Sequence, residues 1–155
     1  MKKIKVNKGQ LLQQKGDSIH KVFMVKSGLL RSYSIDKKGK EHIFMFAPEG
    51  WIIADNSLPN QPTQLFIDAI EDSTLIQAEK NEFGEHDTKK LLKRVGVLQN
   101  RIIMLMSTSA IERYEHFIEV YAEIVQRVPQ RMIASYLGIT PEALSTVKRQ
   151  RKHKK

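Results

Sequence analysis

The chain of 155 residues contains no cysteine. This absence excludes disulfide bonds, thiol catalysis, zinc sites of the cysteine type and cysteine-held iron–sulfur clusters. The chain also has no apolar run near the roughly 20 residues that a membrane-spanning helix needs. Its first segment, MKKIKVNKGQ, is charged and lacks the apolar stretch of a signal peptide. We therefore expect a cytoplasmic protein without membrane contact.

Acidic residues are scarce in the C-terminal part of the chain. From Pro129 to Lys155 there are seven Lys or Arg residues and one acid, Glu142, a net charge of +6 out of +9 for the whole chain. Such a cluster favours a polyanionic partner, because affinity for DNA comes largely from neutralised phosphates. Hydrophobic residues make up 41% of the chain, which is enough for a folded core and too many for a disordered protein.

Residues 130–149, QRMIASYLGITPEALSTVKR, have the pattern of a helix-turn-helix. Ala134 is small where a second helix must cross, and Gly138 falls at the turn, where positive φ is needed. Thr140-Pro141-Glu142 supplies a capping hydroxyl, a first-turn proline and an early acid. The apolar residues suited to fill the wedge between the helices are Ile133, Leu137, Ile139, Leu144 and Val147. An ordinary helical hairpin has the same local signals, and the surrounding positive charge favours the DNA-binding alternative.

The first half of the chain has the pattern of short strands separated by glycine or polar turns. The predicted strands are Gln10–Gln13, Lys21–Lys26, Leu29–Ile35, His42–Phe46, Gln64–Ile70 and Thr74–Ala78. Several short strands at close intervals predict an antiparallel sandwich or small barrel. A loop with two prolines, from Asn56 to Pro62, interrupts them.

The hydrophobic period becomes helical after about Asn81. An apolar seam with spacings of 4, 3, 4 and 3 is formed by Leu91, Val95, Leu98, Ile102 and Leu105. This seam either packs on the chain's own sheet or pairs with the same helix of a second subunit, and the spacing alone leaves both open. Ser109 and Glu112 form a capping-box pattern, which predicts a further helix that runs to about Arg127, before Val128-Pro129.

The order of sheet, long helix and basic helix-turn-helix resembles the cAMP receptor protein/FNR family of bacterial transcription regulators. Two segments carry the resemblance most specifically: Ser109 to Tyr114, SAIERY, and the phrase from Val128 to Ser145. Glycines in the turns of KGQLLQQKGD, FMVKSGLLRSYSIDKKGKE and FAPEG add weaker support. The resemblance implies an α+β fold, with an antiparallel β-roll of jelly-roll type over 1–86, a dimerisation helix over 87–108 and a helix-turn-helix domain over 109–155.

The resemblance also implies a homodimer that reads a near-palindromic site in double-stranded DNA, with half-sites about one helical turn apart. The dimer would be joined through the Asp87–Met106 helix, by the five residues of the seam. An unknown small-molecule effector in the β-roll would re-aim the two Thr140–Gln150 helices. The residues expected to contact DNA are Gln130, Arg131, Thr140, Glu142, Ser145, Thr146, Lys148, Arg149, Arg151 and Lys152.

The sequence departs from the family's cyclic-nucleotide binders in their phosphate cassette, which supplies a Gly-Glu pair and an arginine. The matching stretches here are Gly50–Asp55 and Thr63–Phe66, with Thr63 at or near the arginine position. A buried phosphate without a cation is costly, so tight binding of cAMP is not expected. The candidate pocket residues are Phe46, Trp51, Thr63 and Phe66, with strand aromatics more often forming core.

Other departures concern the reading helix and the ends of the chain. Thr146 stands where family members often have an arginine that reads guanine, so base preference should differ from theirs. The chain starts close to its first strand and ends soon after the reading helix, so we expect neither the leading helices nor the wing strands typical of the family. The five histidines are scattered, and neither haem, another cofactor nor a metal is expected.

Two other functions compete with a DNA-binding regulator. One is a degenerate family member that dimerises with related proteins and titrates them. The other is a small-molecule-binding or enzymatic β-barrel that does not bind DNA. Glu41-His42 lacks the second nearby histidine of a cupin metal site, and no nucleophile–base pair can be assembled, so catalysis is not expected.

Overall fold

The computed structural model describes residues 1–18, 20–58, 61–80 and 88–153. These fall into two compact units, Met1–Gly84 and Glu85–Lys155. The first unit is built of strands: β1 (Lys2–Val6), β2 (Leu11–Gln13), β3 (Lys21–Ser27), β4 (Leu30–Ile35), β5 (Glu41–Ala47), β6 (Ile52–Ala54), β7 (Phe66–Ala69) and β8 (Ser73–Glu79). The second is built of helices: α1 (Thr88–Ser107), α2 (Ala110–Val120), α3 (Gln130–Leu137) and α4 (Pro141–His153). The predicted α+β class, with sheets followed by helices, is confirmed.

The strands form two four-stranded antiparallel sheets, ordered β1-β8-β3-β6 and β2-β7-β4-β5. All six strands predicted from the sequence are present, and two further strands, β1 and β6, were not predicted. Both lie at the edges of the first sheet, where a strand pairs on one side only. The lysines of β1, KKIKV, are typical of an exposed edge, and β6 has only three residues.

The core of this unit lies between the two sheets. Its buried apolar side chains come from both, as expected for alternating strands packed face to face. They are Val6, Phe23, Val25, Ile53 and Leu75 from the first sheet, and Leu30, Ala47, Ile67 and Ala69 from the second. Gly28 connects β3 to β4 at φ 93°, and a Cβ built there would lie 2.2 Å from the Ser73 hydroxyl oxygen and 2.7 Å from the Asp72 carbonyl oxygen. Only glycine fits this turn.

In the helical unit, the capping box predicted at Ser109 is present. The Ser109 hydroxyl accepts a hydrogen bond from the Glu112 backbone N–H, and the Glu112 carboxylate accepts one from the Ser109 N–H at 2.7 Å. The predicted end of this helix at about Arg127 was wrong. The helix ends at Val120, because Tyr121 leaves helical geometry at φ −122°, ψ 35°. Turns with bonds between residues three apart follow, such as the Ile124 N–H to the Tyr121 carbonyl oxygen at 3.0 Å.

The turn between α3 and α4 has the geometry that the sequence predicts. Gly138 adopts the left-handed conformation at φ 67°, ψ 31°, and the Ile139 N–H donates to the Ala134 carbonyl oxygen at 3.0 Å. The Thr140 hydroxyl accepts from the Ala143 N–H at 3.2 Å, and Pro141 occupies the first helical position. Four of the five predicted wedge residues are buried: Ile133, Leu137, Leu144 and Val147. Among the described residues, no helix is long and apolar enough to cross a bilayer.

Candidate nucleic-acid interface and sensor cleft

The outer face of α4 is polar and exposed. Leu144 and Val147 point into the packing with α2 and α3, which leaves the residues between them outside. Glu142, Ser145, Thr146 and Arg149 are exposed, and Lys148 is half-buried. This helix therefore presents a continuous surface of hydrogen-bonding and cationic groups.

Two hydroxyls on this surface are bonded within the helix. The Ser145 hydroxyl donates to the Pro141 carbonyl oxygen at 3.0 Å, and the Thr146 hydroxyl donates to the Glu142 carbonyl oxygen at 3.2 Å. Their oxygens keep lone pairs that can accept from outside. Hydrogen bonds from its own backbone N–H and from the Thr140 hydroxyl lower the pKa of Glu142. This exposed side chain is therefore an ionised acceptor at neutral pH.

The remaining predicted DNA contacts lie in several surroundings. The Lys148 ammonium donates to the Gln130 side-chain oxygen at 2.9 Å, which joins the start of α3 to the middle of α4. Arg131 and Lys152 are exposed, and Arg151 is half-buried near Tyr114. The ten predicted residues thus lie on α3, on α4 and at the turn between them.

The long helix α1 exposes apolar side chains. Within this chain Val95 is 51% exposed, Ile102 57% and Met106 81%. The spacings of seven and four residues place all three on one helical face. Leu98 is half-buried, and the side chain of Leu91 lies outside the described residues. Leu105 is half-buried beside the helix-turn-helix, with its Cδ2 atom 3.7 Å from a Cβ built on Gly138.

Two arginines hold the C-terminal end of α3. Arg101, on α1, donates to the Tyr136 carbonyl oxygen at 3.0 Å, and its guanidinium carbon lies 3.7 Å from the centre of the Tyr136 ring. Arg113, on α2, donates to the Leu137 carbonyl oxygen at 3.2 Å. Arg113 also donates to the Leu105 carbonyl oxygen at 2.8 Å, near the end of α1. Cations at helix C-termini are favourable because the last carbonyl groups have no partner in the helix.

The β-roll contains an open cleft of about 340 Å³. The described residues that line it mix apolar side chains with hydrogen-bonding ones, and none of them is Lys, Arg or His: Phe44, Asp55, Asn56, Ser57, Leu58, Gln61, Gln64 and Leu65. The Lys80 ammonium nearby donates to the carbonyl oxygens of Asp55 and Ser57, at 3.1 and 2.6 Å. The polar groups at this end of the β-roll are thus organised mainly by the chain's own backbone.

Asp55 is the central polar group of the cleft, although it is only 3% exposed. One oxygen of its carboxylate accepts from the Ser57 N–H at 2.7 Å, and the other accepts from the N–H groups of Gln64 and Leu65 at 2.9 and 2.8 Å. Burial alone would raise the pKa of Asp55, but the hydrogen bonds from Ser57, Gln64 and Leu65 outweigh burial, and the pKa is lowered. The carboxylate is therefore a buried, ionised acceptor.

The four predicted pocket residues do not line this cleft, and a ligand site at these residues stays a prediction. Phe46 is fully buried, and Thr63 is 2% exposed with its hydroxyl donating to the Gln14 carbonyl oxygen at 2.7 Å. Trp51 lies at the surface. Phe66 stacks on Tyr33 with ring centres 5.3 Å apart. The ring of Phe46 thus belongs to the core, and that of Phe66 to a stack with the buried Tyr33.

Four polar residues with partners in the structure were not predicted as site residues from the sequence: Asp55, Arg101, Arg113 and Arg31. Arg31 is 6% exposed and donates twice to the Asp68 carboxylate, at 2.8 and 2.9 Å. Such partners lie 37 positions apart in the chain, so no local pattern reveals them. Within the described residues, no group of three His, Asp or Glu side chains could hold a metal ion.

Comparisons with known proteins identify the family. The model of the cyclic nucleotide-binding domain matches residues 3–86. Regulatory protein HlyX of Actinobacillus pleuropneumoniae is 26% identical, over 90% of this chain and 67% of its own length. Electron transport regulator A of Shewanella oneidensis is 27% identical, over 90% of this chain and 64% of its own length. The chain thus spans about two thirds of the length of these curated relatives.

Solved structures agree with this assignment at the level of fold. FixK2 from Bradyrhizobium japonicum superimposes with a TM-score of 0.79 at 20% identity, covering 99% of this chain and 85% of that one. TTHA1359, a transcriptional regulator of the CRP/FNR family from Thermus thermophilus, gives a TM-score of 0.78 at 16% identity, covering 99% and 87%. The chain belongs to the cyclic nucleotide-binding domain family, and within it to the CRP/FNR family of transcription regulators.

Proposed function

We propose that this chain is a DNA-binding transcription regulator that acts as a homodimer and places α4 in the major groove. The observation that carries the proposal is the exposed face of α4, held on a capped helix-turn-helix and surrounded by cations. Glu142 and the two hydroxyls offer acceptors to base edges, and Lys148 and Arg149 offer charge to phosphates.

The apolar face of α1 supports the homodimer. Val95, Ile102 and Met106 form a stripe along the helix that the chain itself leaves in water. A stripe of this kind on a helix of 20 residues fits a parallel partner with the same stripe. Two copies joined in this way present two reading helices to one DNA site, which matches the two-fold symmetry of a near-palindromic sequence.

The β-roll is proposed to sense an effector other than cAMP. Thr63, at or near the position matched to the family's arginine, donates its hydroxyl to the Gln14 carbonyl oxygen and brings no cation. The next two N–H groups, of Gln64 and Leu65, already donate to Asp55. A cyclic phosphate in this position would meet a carboxylate instead of a guanidinium, so the residues present do not fit cAMP.

Selection of bound sites from random DNA with the purified protein tests the DNA-binding part. The expected result is a near-palindromic sequence with two half-sites about one helical turn apart. Recovery of unenriched sequence at low salt would contradict the proposal. Recovery of a single half-site would contradict the dimer alone.

A salt titration separates phosphate contacts from base contacts. Lys148→Ala is expected to weaken binding equally on all sequences and to reduce the salt slope by about one. Lys38→Ala changes an exposed lysine of the β-roll and is the matched control; it should leave the affinity for DNA and the salt slope unchanged. A sequence-dependent loss in Lys148→Ala would show that this lysine reads bases instead.

Calorimetry with cAMP tests the sensor. No binding is expected at micromolar concentrations, and a micromolar dissociation constant would contradict the proposed exclusion. Heat from another small molecule would identify an effector without affecting the DNA-binding proposal.

A second candidate is pairing with a related subunit. Thr146 replaces the guanine-reading arginine of the family, and the exposed stripe of α1 fits a related helix as well as its own copy. Failure of the purified protein to bind DNA alone, together with binding after mixing with a related regulator, would favour this alternative.

A further inference from the structure

The end of α3 is attached to α1 by a short set of polar contacts. The guanidinium of Arg101 reaches across to the Tyr136 carbonyl oxygen and lies over the Tyr136 ring. That ring is itself 8% exposed and packed against Phe117 and Tyr121, with ring centres 5.4 and 5.5 Å away. Arg101 therefore rests on an aromatic cluster that joins α2, α3 and the turns between them.

Arg113 makes a second attachment one residue further along. It donates to the Leu137 carbonyl oxygen of α3 and to the Leu105 carbonyl oxygen of α1 at the same time. The last two carbonyl groups of α3 are thus held by two arginines from two different helices. Both attachments lie immediately before Gly138, where the chain turns into α4.

The residue after Arg101 belongs to the exposed apolar stripe. Ile102 is 57% exposed, while Arg101 is directed at α3. A single turn of α1 therefore carries both the surface proposed to meet a second subunit and the Arg101 contact with α3. Any change in the direction of α1 must move the reading helix or break these hydrogen bonds.

We propose that Arg101, supported by Arg113, is a positioning residue that sets the distance between the two reading helices of the dimer. This inference rests on the proposed function, because it requires a dimer with two DNA contacts. Arg101 itself is not among the residues proposed to touch DNA. Its loss should leave each helix-turn-helix able to bind a half-site, while the two become free to adopt several separations.

The test compares the wild type with Arg101→Met, which keeps the long apolar stem and removes the guanidinium. Binding is measured on one half-site, on the selected full site, and on full sites with one base pair inserted or deleted. One base pair rotates a half-site by about 35°, so a rigid dimer should lose about tenfold or more in affinity on the altered sites. Arg101→Met is expected to bind the half-site with the same affinity as the wild type. Its affinities for the selected full site and for the sites with an inserted or deleted base pair should differ by less than about threefold.

Two further variants give the test its controls. Arg101→Lys keeps a cation near Tyr136 and one donor for the carbonyl oxygen, so partial recovery of spacing discrimination is expected. Asn100→Met alters the neighbouring exposed residue of α1 and should behave as the wild type. Site selection with Arg101→Met should return the same half-site with a broader distribution of spacings.

Several results would overturn the inference. Wild-type discrimination in Arg101→Met would show that other contacts set the spacing. A parallel loss on the half-site and on all full sites would show that Arg101 only supports the fold. Absence of DNA binding in the wild type would remove the proposed function, and this inference with it, whereas a wild type that binds but tolerates every spacing would refute the inference alone.

Discussion

The buried carboxylate of Asp55 allows the most direct test of the structure of the strand unit, Met1–Gly84. The substitution Asp55→Asn keeps the size of the side chain and replaces one acceptor oxygen by an NH2 group. If the amide oxygen of the new Asn side chain faces Gln64 and Leu65, its NH2 group faces the Ser57 N–H, which then has no acceptor. In the other orientation the NH2 group faces the N–H groups of Gln64 and Leu65, and both of these lose their acceptor. At least one buried N–H is therefore left without an acceptor.

An unsatisfied buried N–H costs about 1–3 kcal/mol, so we expect Asp55→Asn to lower the free energy of unfolding by about 2 kcal/mol at pH 7. Asp55→Ala removes all three bonds and should cost more. Asp36→Asn is the matched control, since the Asp36 carboxylate also accepts two backbone N–H groups, from Lys38 and Lys40, but is exposed. Water can replace those bonds, and little change is expected.

Urea unfolding followed by the fluorescence of Trp51 measures this effect, because the chain has one tryptophan and it lies in the strand unit. The folded-state pKa of Asp55 is below its unfolded value of about 3.9, so the unfolded chain binds more protons between the two. The stabilisation is complete above about pH 4 and is lost as the pH falls through the folded pKa. The difference in the free energy of unfolding between the wild type and Asp55→Asn should therefore become smaller at acidic pH. Equal stability of the two proteins at pH 7 would refute the reasoning.

Three other substitutions test the helical unit. Ile102→Glu places a charge in the apolar stripe of α1 and should shift the protein to monomer in sedimentation, whereas Asn100→Glu, off the stripe, should not; a dimer in both would contradict the proposed interface. Gly138→Ala should lower the free energy of unfolding by about 1 kcal/mol, because the residue there has a positive φ, and Gly138→Asn should lower it by less. Circular dichroism measures the unfolding, and equal free energies for the two variants would be inconsistent with a left-handed residue at this turn. Thr146→Arg should add a preference for guanine worth about 1–3 kcal/mol in site selection, and an unchanged sequence would mean that this position does not face a base.

The sequence predicted well those features that depend on near neighbours. Gly138, Thr140 and Pro141 specify the turn of the helix-turn-helix, and Ser109 with Glu112 specifies the start of α2, because capping involves residues at most a few positions apart. The end of α2 was not predictable in this way. Tyr121, Ile124 and Val128 continue the apolar spacing of a helix, while the backbone there makes three-residue turns that bury the same side chains.

The candidate sites were harder to predict because their partners are distant in sequence. Asp55 meets N–H groups nine and ten positions away, Arg101 meets a carbonyl group 35 positions away, and neither pairing leaves a periodic signal. The exposed face of α4 was predictable, since Leu144 and Val147 fix which side is buried. Aromatic residues on the strands have different surroundings: Phe44 lines the cleft, whereas Phe46 lies in the core and Phe66 stacks on Tyr33.

Asp55 and Thr146, which both depart from the family pattern, share one feature of their hydrogen bonding. In both places a polar group finds its partner in the chain's own backbone: Asp55 accepts three N–H groups, and the Thr146 hydroxyl donates to the Glu142 carbonyl oxygen. An anionic ligand at Asp55 would have to displace these bonds and overcome repulsion from the carboxylate, which disfavours an anionic ligand for the cleft. At Thr146 the oxygen still accepts and the methyl group stays available, so an amino group of adenine or cytosine, or the methyl group of thymine, is a better match there than guanine.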